Sequence, residues 1–278
     1  MGSMFVQVNS VRLGVEQRGE ARKSDPALVM LHGFTGSAAG WGRQLDTLAA
    51  YGLRVIALDL LGHGQSDAPD DPQRYTIEHC QQDILGALQE FGVSKGQAIL
   101  LGYSMGGRIA LYAAFSEYFR ALILESASPG LEDPVERERR RISDETLAAS
   151  IEREGVQAFI ERWEKLPLFD SQKTLPLECR ETLRRQRLQN RATGLAQSLR
   201  GVGLGVQPSL YARVPTLQIP VLLIAGELDT KFTAIARHMA QALPQAQVRI
   251  IPGAGHTVHL EQPEEFVSSV GDFSLSIN

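Results

Sequence analysis

Cysteine is nearly absent from this 278-residue chain: Cys80 and Cys179 are the only two. Two thiols make neither a disulfide framework nor a four-cysteine zinc site, so the expected compartment is the reducing cytoplasm. No run of about eighteen apolar residues occurs, and no segment is expected to span a membrane. The opening Met1-Gly2-Ser3-Met4 and the short alternating run Phe5-Val6-Gln7-Val8 lack the basic stretch and apolar block of a secretory signal. Gly2-Ser3 ahead of a second methionine reads as an expression remnant, with Met4 the expected native start. Positive charge is not in excess. Lys and Arg number 28 against 32 Asp and Glu, a net charge of −4, which argues against a nucleic-acid partner. Lysine itself is scarce: five residues, leaving 23 arginines among the 28 bases. The planar arginine fork grips carboxylates and phosphates in bidentate fashion. No repeat, low-complexity tract, metal site or cofactor motif is visible.

What is present is ordinary for a soluble globular chain, 43% hydrophobic and 22% charged. Short apolar runs at 27–31, 55–58, 98–101, 121–124, 221–224 and 248–251 read as strands. Most lack polar alternation, as strands covered on both faces do. Amphipathic stretches separate them. In 76–91, Ile77, Cys80, Ile84, Leu88 and Phe91 fall at spacings of three, four, four and three, one helical face. In 233–243, Ile235, Met239 and Leu243 repeat the pattern. Strand-helix alternation of this kind predicts a mostly parallel sheet flanked by helices. The rhythm breaks at 129–215, which has a helical pattern and no convincing strand. The expected organisation is therefore a core of 1–128 and 216–278 with a helical cap insert, 129–215. The glycine-rich run Gly201-Val202-Gly203-Leu204-Gly205-Val206-Gln207-Pro208 is expected to turn the chain back towards the core.

Gly102-Tyr103-Ser104-Met105-Gly106 follows the strand 98–101 and precedes a small-residue helix, 107–114. This is G-x-S-x-G in its strand-to-helix context. Its glycines permit a tight turn that lifts the serine hydroxyl above the sheet, at the positive end of the next helix. The bland alternative is an ordinary serine in a glycine turn. A nucleophilic or basic serine needs a histidine, and that histidine an orienting acid, in the chain order Ser, acid, His. Asp229, after strand 221–224, and His256, after strand 248–251, occupy the strand ends where open α/β sheets place their sites. Glu227 is the rival acid and His259 the rival base. His32, His63, His79 and His238 read as structural. His32-Gly33-Phe34 follows the strand 27–31, so the N–H groups of Phe34 and Met105 are the expected oxyanion hole.

Together these features resemble the α/β-hydrolase superfamily over all but the cap, and imply the α/β-hydrolase fold. A narrower resemblance is to the SHCHC synthase family of menaquinone and phylloquinone biosynthesis. It is carried by Gly102-Tyr103-Ser104-Met105-Gly106-Gly107-Arg108, Pro129-Gly130-Leu131, the arginines at 137–141, Trp163, Gln186-Arg187-Leu188-Gln189-Asn190, Gln207-Pro208-Ser209-Leu210, Gly226-Glu227-Leu228-Asp229-Thr230-Lys231-Phe232 and Gly253-Ala254-Gly255-His256. The resemblance implies a cofactor-free lyase that eliminates pyruvate from a small tricarboxylate substrate. It makes Ser104, Asp229 and His256 the triad. Arg108, Arg140 and Arg187 become carboxylate-binding residues, with Tyr103 and Trp163 lining the pocket. Arg137, Arg139 and Arg141 compete for the role of Arg140; Arg184 and Arg191 compete for that of Arg187.

The residues themselves agree with an anionic substrate. Segment 171–215 carries eight bases against two acids inside a chain of net charge −4. Arg180, Arg184, Arg187 and Arg191 are spaced to stack on one helical face, a repulsion that an anionic ligand or acids elsewhere in the fold would relieve. Asp133/Arg137 and Glu136/Arg140 are expected i,i+4 pairs on the surface. Arg108, one turn into the helix after Ser104, sits against the helix dipole and calls for an anion; a core carboxylate is the bland partner. Two other functions share the pattern: a hydrolase of esters or C–C bonds, which has no need of converging arginines, and a receptor-like protein retaining the pocket, against which the complete triad weighs.

Overall fold

The computed structural model describes residues 4–19 and 26–277; Met1-Gly2-Ser3 lie outside them. Eight strands form one sheet in the order β1-β2-β4-β3-β5-β6-β7-β8. β1 (Met4–Val8) and β2 (Val11–Arg18) are a hairpin closed by Asn9 and Ser10, at φ 45° and 65°, the left-handed pair a two-residue turn requires. β2 pairs antiparallel with β4 (Arg54–Leu58), and every later pairing is parallel: β3 (Ala27–Leu31), β5 (Ala98–Tyr103), β6 (Phe119–Glu125), β7 (Val221–Gly226) and β8 (Ala246–Ile251). The six strands read from the sequence are present. The hairpin adds two that were not assigned, although Val11, Leu13 and Val15 are buried at period two.

The central strands are uninterruptedly apolar because both faces are covered. Ala27, Val29 and Leu31 of β3 enter one hydrophobic cluster, Leu28 and Met30 the other. On the first face pack α2 (Ile77–Glu90), α3 (Met105–Ala114) and α7 (Thr230–Ala242), through Ile84, Ile109 and Met239. On the second lie α1 (Gln44–Ala50), the short α8 (Val258–Glu261) and α9 (Pro263–Ser276), through Leu45, Val258 and Phe266.

Between β6 and β7 come α4 (Pro134–Trp163), α5 (Leu177–Leu188) and α6 (Ala192–Val202), with a 3-10 segment at Pro167–Thr174. Asp133 caps α4 by accepting from the Val135 N–H at 2.8 Å. Gly155, at φ 82°, breaks α4 into two pieces. Ala148, Ile151, Phe159, Ile160, Leu195, Ala196 and Leu199 form a third cluster, against which Phe34 of the core packs. Because α5 ends at Leu188, Arg191 leaves the expected four-arginine face and stands just before α6, its side chain making no cap. No helix among the described residues is long and apolar enough to cross a membrane.

Candidate active site

Ser104 stands between β5 and α3 at φ 51°, ψ −109°, a strained conformation for a residue with a side chain. Two glycines make the turn possible. A Cβ on Gly102 would lie 2.3 Å from the Gly106 carbonyl oxygen, and one on Gly106 2.4 Å from those of Leu31 and His32. The Ser104 N–H donates to the Glu125 carbonyl at 2.9 Å, hanging the turn on the end of β6.

Ser104, His256 and Asp229 form one hydrogen-bonded row. His256 Nε2 is 3.0 Å from Ser104 Oγ, and His256 Nδ1 is 2.6 Å from Asp229 Oδ2. Both partners of the inner bond are buried. Asp229 accepts there, so the Nδ1 proton is fixed and Nε2 is left basic towards the serine. The other Asp229 oxygen caps α7 through the Phe232 N–H at 3.2 Å. The histidine loop is clamped by carboxylates. Glu261 accepts from the N–H groups on either side of His256, Gly255 at 2.6 Å and Thr257 at 3.1 Å. Glu227 accepts from Gly253 at 3.2 Å at the exposed rim. His259 turns away from the serine. Its Nδ1 lies 2.8 and 2.9 Å from the two oxygens of fully buried Glu125, which also takes the His259 N–H at 3.0 Å.

Residues 33–36 form a tight turn, closed by the Gly36 N–H to the Gly33 carbonyl at 3.0 Å, with Thr35 at φ 68°. It brings Phe34 beside the serine. Among the described residues no acceptor faces the N–H of Phe34 or that of Met105, the first residue of α3. Helix starts leave such donors open.

Ser104 and His256 open into a cavity of about 310 Å³, also lined by Phe34, Met105, Tyr103, Trp163, Arg108 and Arg140. The Tyr103 hydroxyl is 2.8 Å from Thr257 Oγ1. Trp163 contacts Phe34 and Phe169, with ring centroids 5.4 and 5.6 Å away, and its indole N–H has no partner among the described residues. Arg108 Nη1 donates to the Gln207 side-chain oxygen and, at 3.2 Å, to the Val202 carbonyl. No carboxylate among the described residues pairs with it. Burial first, and Arg140 nearby second, push its pKa down to about 10, with Asp144 opposing. Arg140, exposed at the rim, donates to Asp144 at 2.7 Å.

Arg187 stands apart. It lines two smaller cavities, of about 50 and 250 Å³, and not the one that holds Ser104. The Phe169 ring borders all three, with the Arg187 guanidinium 5.2 Å from its centroid. Arg187 is tied at 3.5 Å to Glu164 and at 3.4 Å to Gln172, whose amide donates in turn to Thr257. Burial lowers its pKa, against Tyr103 and Glu164. Three of the five competitors are engaged elsewhere: Arg184 with Glu164 at 2.5 Å, Arg191 with the Ser66 carbonyl, Arg141 with Glu138 at 2.7 Å. The like charges of Arg184 and Arg187 on α5 are thus relieved by Glu161 of α4 and by Glu164 just past its end. Neither expected surface pair forms: Asp133 is spent on its cap and Arg140 turns to Asp144.

Several site residues escaped sequence reasoning. Lys231 and Phe232 line the cavity, Phe232 with its ring centroid 4.7 Å from that of His256. They lie two and three residues after Asp229, and that proximity in the chain was a usable signal. Phe169, Gln172, Gln207 and Glu125 converge only through folding.

A model of the alpha/beta hydrolase family matches residues 28–269. The chain is 43% identical over 280 residues, all of either protein, to a Bacillus subtilis (strain 168) protein named provisionally as a 2-succinyl-6-hydroxy-2,4-cyclohexadiene-1-carboxylate synthase. It is 34% identical over 260 residues to the synthase of that name from Citrobacter koseri, covering 91% of this chain and 96% of that one. Among solved structures, that of MenH from S. aureus superposes with a TM-score of 0.88 at 33% identity, over 93% of this chain and 97% of the other.

Proposed function

This chain belongs to the alpha/beta hydrolase family and, within it, to the 2-succinyl-6-hydroxy-2,4-cyclohexadiene-1-carboxylate synthases, and from that premise we propose the reaction it performs. It eliminates pyruvate from 2-succinyl-5-enolpyruvyl-6-hydroxy-3-cyclohexene-1-carboxylate, a step of menaquinone or phylloquinone biosynthesis. One observation carries the reading. The cavity that holds the Ser104–His256 pair also holds a guanidinium, Arg108, with no acid of its own. An ester hydrolase has no use for that charge; a tricarboxylate ligand does.

The ring C2–H of the substrate lies next to the succinyl ketone and is acidic for that reason. His256 draws the hydroxyl proton from Ser104, and the serine oxygen takes the C2 proton. The C–H electrons form C2=C3, the ring double bond moves to C4=C5, and the C5–O bond breaks. The leaving enolpyruvate receives the proton held by His256 and becomes pyruvate, so atoms balance without a co-reactant. Negative charge develops on the ketone oxygen, where the Phe34 and Met105 N–H groups would receive it; losing one such donor typically costs about 10²–10³ in rate. Arg108, Arg140 and, once Phe169 yields, Arg187 bind carboxylates that stay anionic throughout, so they position.

In this reading 129–215 is a cap over the core 1–128 and 216–278. Its separate hydrophobic cluster and its contribution of Leu147, Trp163 and Leu199 to the cavity support that division. The free thiols Cys80 and Cys179 support a cytoplasmic setting. The triad and the open N–H pair equally suit ester hydrolysis, in which Ser104 attacks carbon and an acyl-enzyme forms. The test is turnover of the enolpyruvyl substrate. Pyruvate and diene in equal amounts, with an unmodified chain in intact-mass spectra, are expected. Rapid p-nitrophenyl ester turnover without pyruvate release would overturn the assignment.

A further inference from the structure

Arg74 is matched with Asp83, Arg187 with Glu164 and Arg200 with Glu145 and Glu152, while half-buried Arg54 and Arg120 donate to the main-chain carbonyls of Phe91 and Ile277. Arg108 is not matched with an acid, and the residue that meets it is an amide. Gln207, 1% exposed, offers its side-chain oxygen to Arg108 Nη1. The acid nearest by, Asp144, is taken up by Arg140 and by the Gly205 N–H at 3.4 Å. Gln207 is held in place by a glycine-rich loop pressed onto α4. Its N–H donates to the Gly203 carbonyl at 3.1 Å, and a Cβ on Gly205 would meet the Arg141 backbone at 2.3 Å.

An amide is a poor choice for stability here. Its buried Nε2 has no partner among the described residues, which costs free energy. A glutamate would pair with the guanidinium, and a methionine would leave no polar atom unpaired. What the amide does, beside the Val202 carbonyl at 3.2 Å, is orient the fork from a side chain while leaving the positive charge uncompensated. We infer that Gln207 is a positioning and specificity-determining residue: it aims Arg108 into the cavity without neutralising it, and so sets the preference for a carboxylate-bearing ligand. This rests on the proposed role of Arg108 as a carboxylate binder.

The near-isosteric Gln207→Glu and the neutral Gln207→Met test it, with succinate as the probe in calorimetric titrations that need no turnover. Gln207→Glu should bind succinate about ten- to a hundredfold more weakly than the wild type, the worth of a charge-assisted pair. Its thermal midpoint should rise, because a buried cation has gained a partner. A merely structural role would move both quantities down together. Gln207→Met keeps the charge but loses the aim, and should bind several-fold more weakly. With the enolpyruvyl substrate, Gln207→Glu should raise KM and leave kcat within about threefold, since the arginine positions. In a double-variant cycle, Arg108→Ala should cost little once Gln207→Glu is present. Succinate binding within twofold of wild type in a folded Gln207→Glu, or no succinate binding by the wild type, overturns the inference. Should Gln207→Glu fail to fold, wild-type affinity in Gln207→Met overturns it. If succinate binding behaves as expected but the wild type releases no pyruvate, the substrate assignment fails and the role of Gln207 stands.

Discussion

Lowering the pH from 7 to 5 should cost this protein about 4 kcal/mol of stability through two histidines outside the reaction. His32 and His63 are 3% and 0% exposed, with ring centroids 5.1 Å apart. Burial pushes His32 down to about 4 and His63 to about 3; for His63 the neighbouring His32 and Arg191 reinforce the shift and Asp59 opposes it. In the unfolded chain both titrate near 6.5. As pH falls below that value the unfolded state takes up two protons and the folded state does not. Stability is therefore full above about pH 7 and is lost through the window from 6.5 down to the two folded values. At about 1.4 kcal/mol per pKa unit, each imidazole contributes about 2 kcal/mol to the loss by pH 5. Against a typical total of about 5–15 kcal/mol this is a large share. Function is coupled to it: His32 Nε2 accepts from the Leu60 N–H at 3.0 Å and its Nδ1 lies 2.8 Å from the Gly33 carbonyl, at the base of the Phe34 turn. Protonation at Nε2 removes the acceptor. The assay is urea unfolding at pH 7, 6 and 5 for the wild type and His63→Leu. The fall should be about half as large in the variant. A wild type indifferent to pH across this range, or a variant with an undiminished slope, would refute the reasoning.

Other outcomes follow from the site. Removing Ser104, His256 or Asp229 singly should abolish most turnover without the losses multiplying, as kinetics of single and double alanine variants will tell; near-normal activity in His256→Ala beside an inactive His259→Ala would reverse the choice of base. Arg108→Ala should lower kcat/KM about ten- to a hundredfold and Arg108→Lys should rescue poorly, while exposed Arg139→Ala is silent; equal tolerance at both positions would remove the tricarboxylate argument. Glu125→Gln weakens the hold on the His259 ring and should reduce stability by about 1–3 kcal/mol, read from denaturant midpoints, an unchanged midpoint counting against it.

The sheet was legible because its central strands are buried on both sides and announce themselves as unbroken apolar runs. β2 was not, since Gly14 interrupts its alternation and its last residues are half exposed. Ser104, Asp229 and His256 could be read because a nucleophile elbow and strand ends are local features with fixed order. The arginines could not be resolved in the same way. Spacing on an ideal helix placed Arg191 with Arg187, but α5 stops at Leu188 and the chain turns between them. The partner of Arg140 proved to be the acid four residues after it, Asp144, and not Glu136 four before. Phe169 carries no local signature, and the run that begins at Gln207 did not place that residue against Arg108: an amide beside a buried cation, or a ring bordering three cavities, exists only once distant segments meet.

Glu125 gives the reaction centre a common reference. Its main-chain oxygen holds the Ser104 N–H, and its carboxylate holds His259, three residues beyond His256. A displacement of the end of β6 therefore carries hydroxyl and imidazole in the same direction, and the 3.0 Å gap between them changes little. Trp163 and Arg140 hang instead on α4, whose course is interrupted at Gly155. A shift of α4 would thus change the cavity walls, while the Ser104–His256 pair, tied to the end of β6, would keep its spacing. Such a division lets a binding surface be loose enough to admit a bulky polyanion without detuning the groups that act on it.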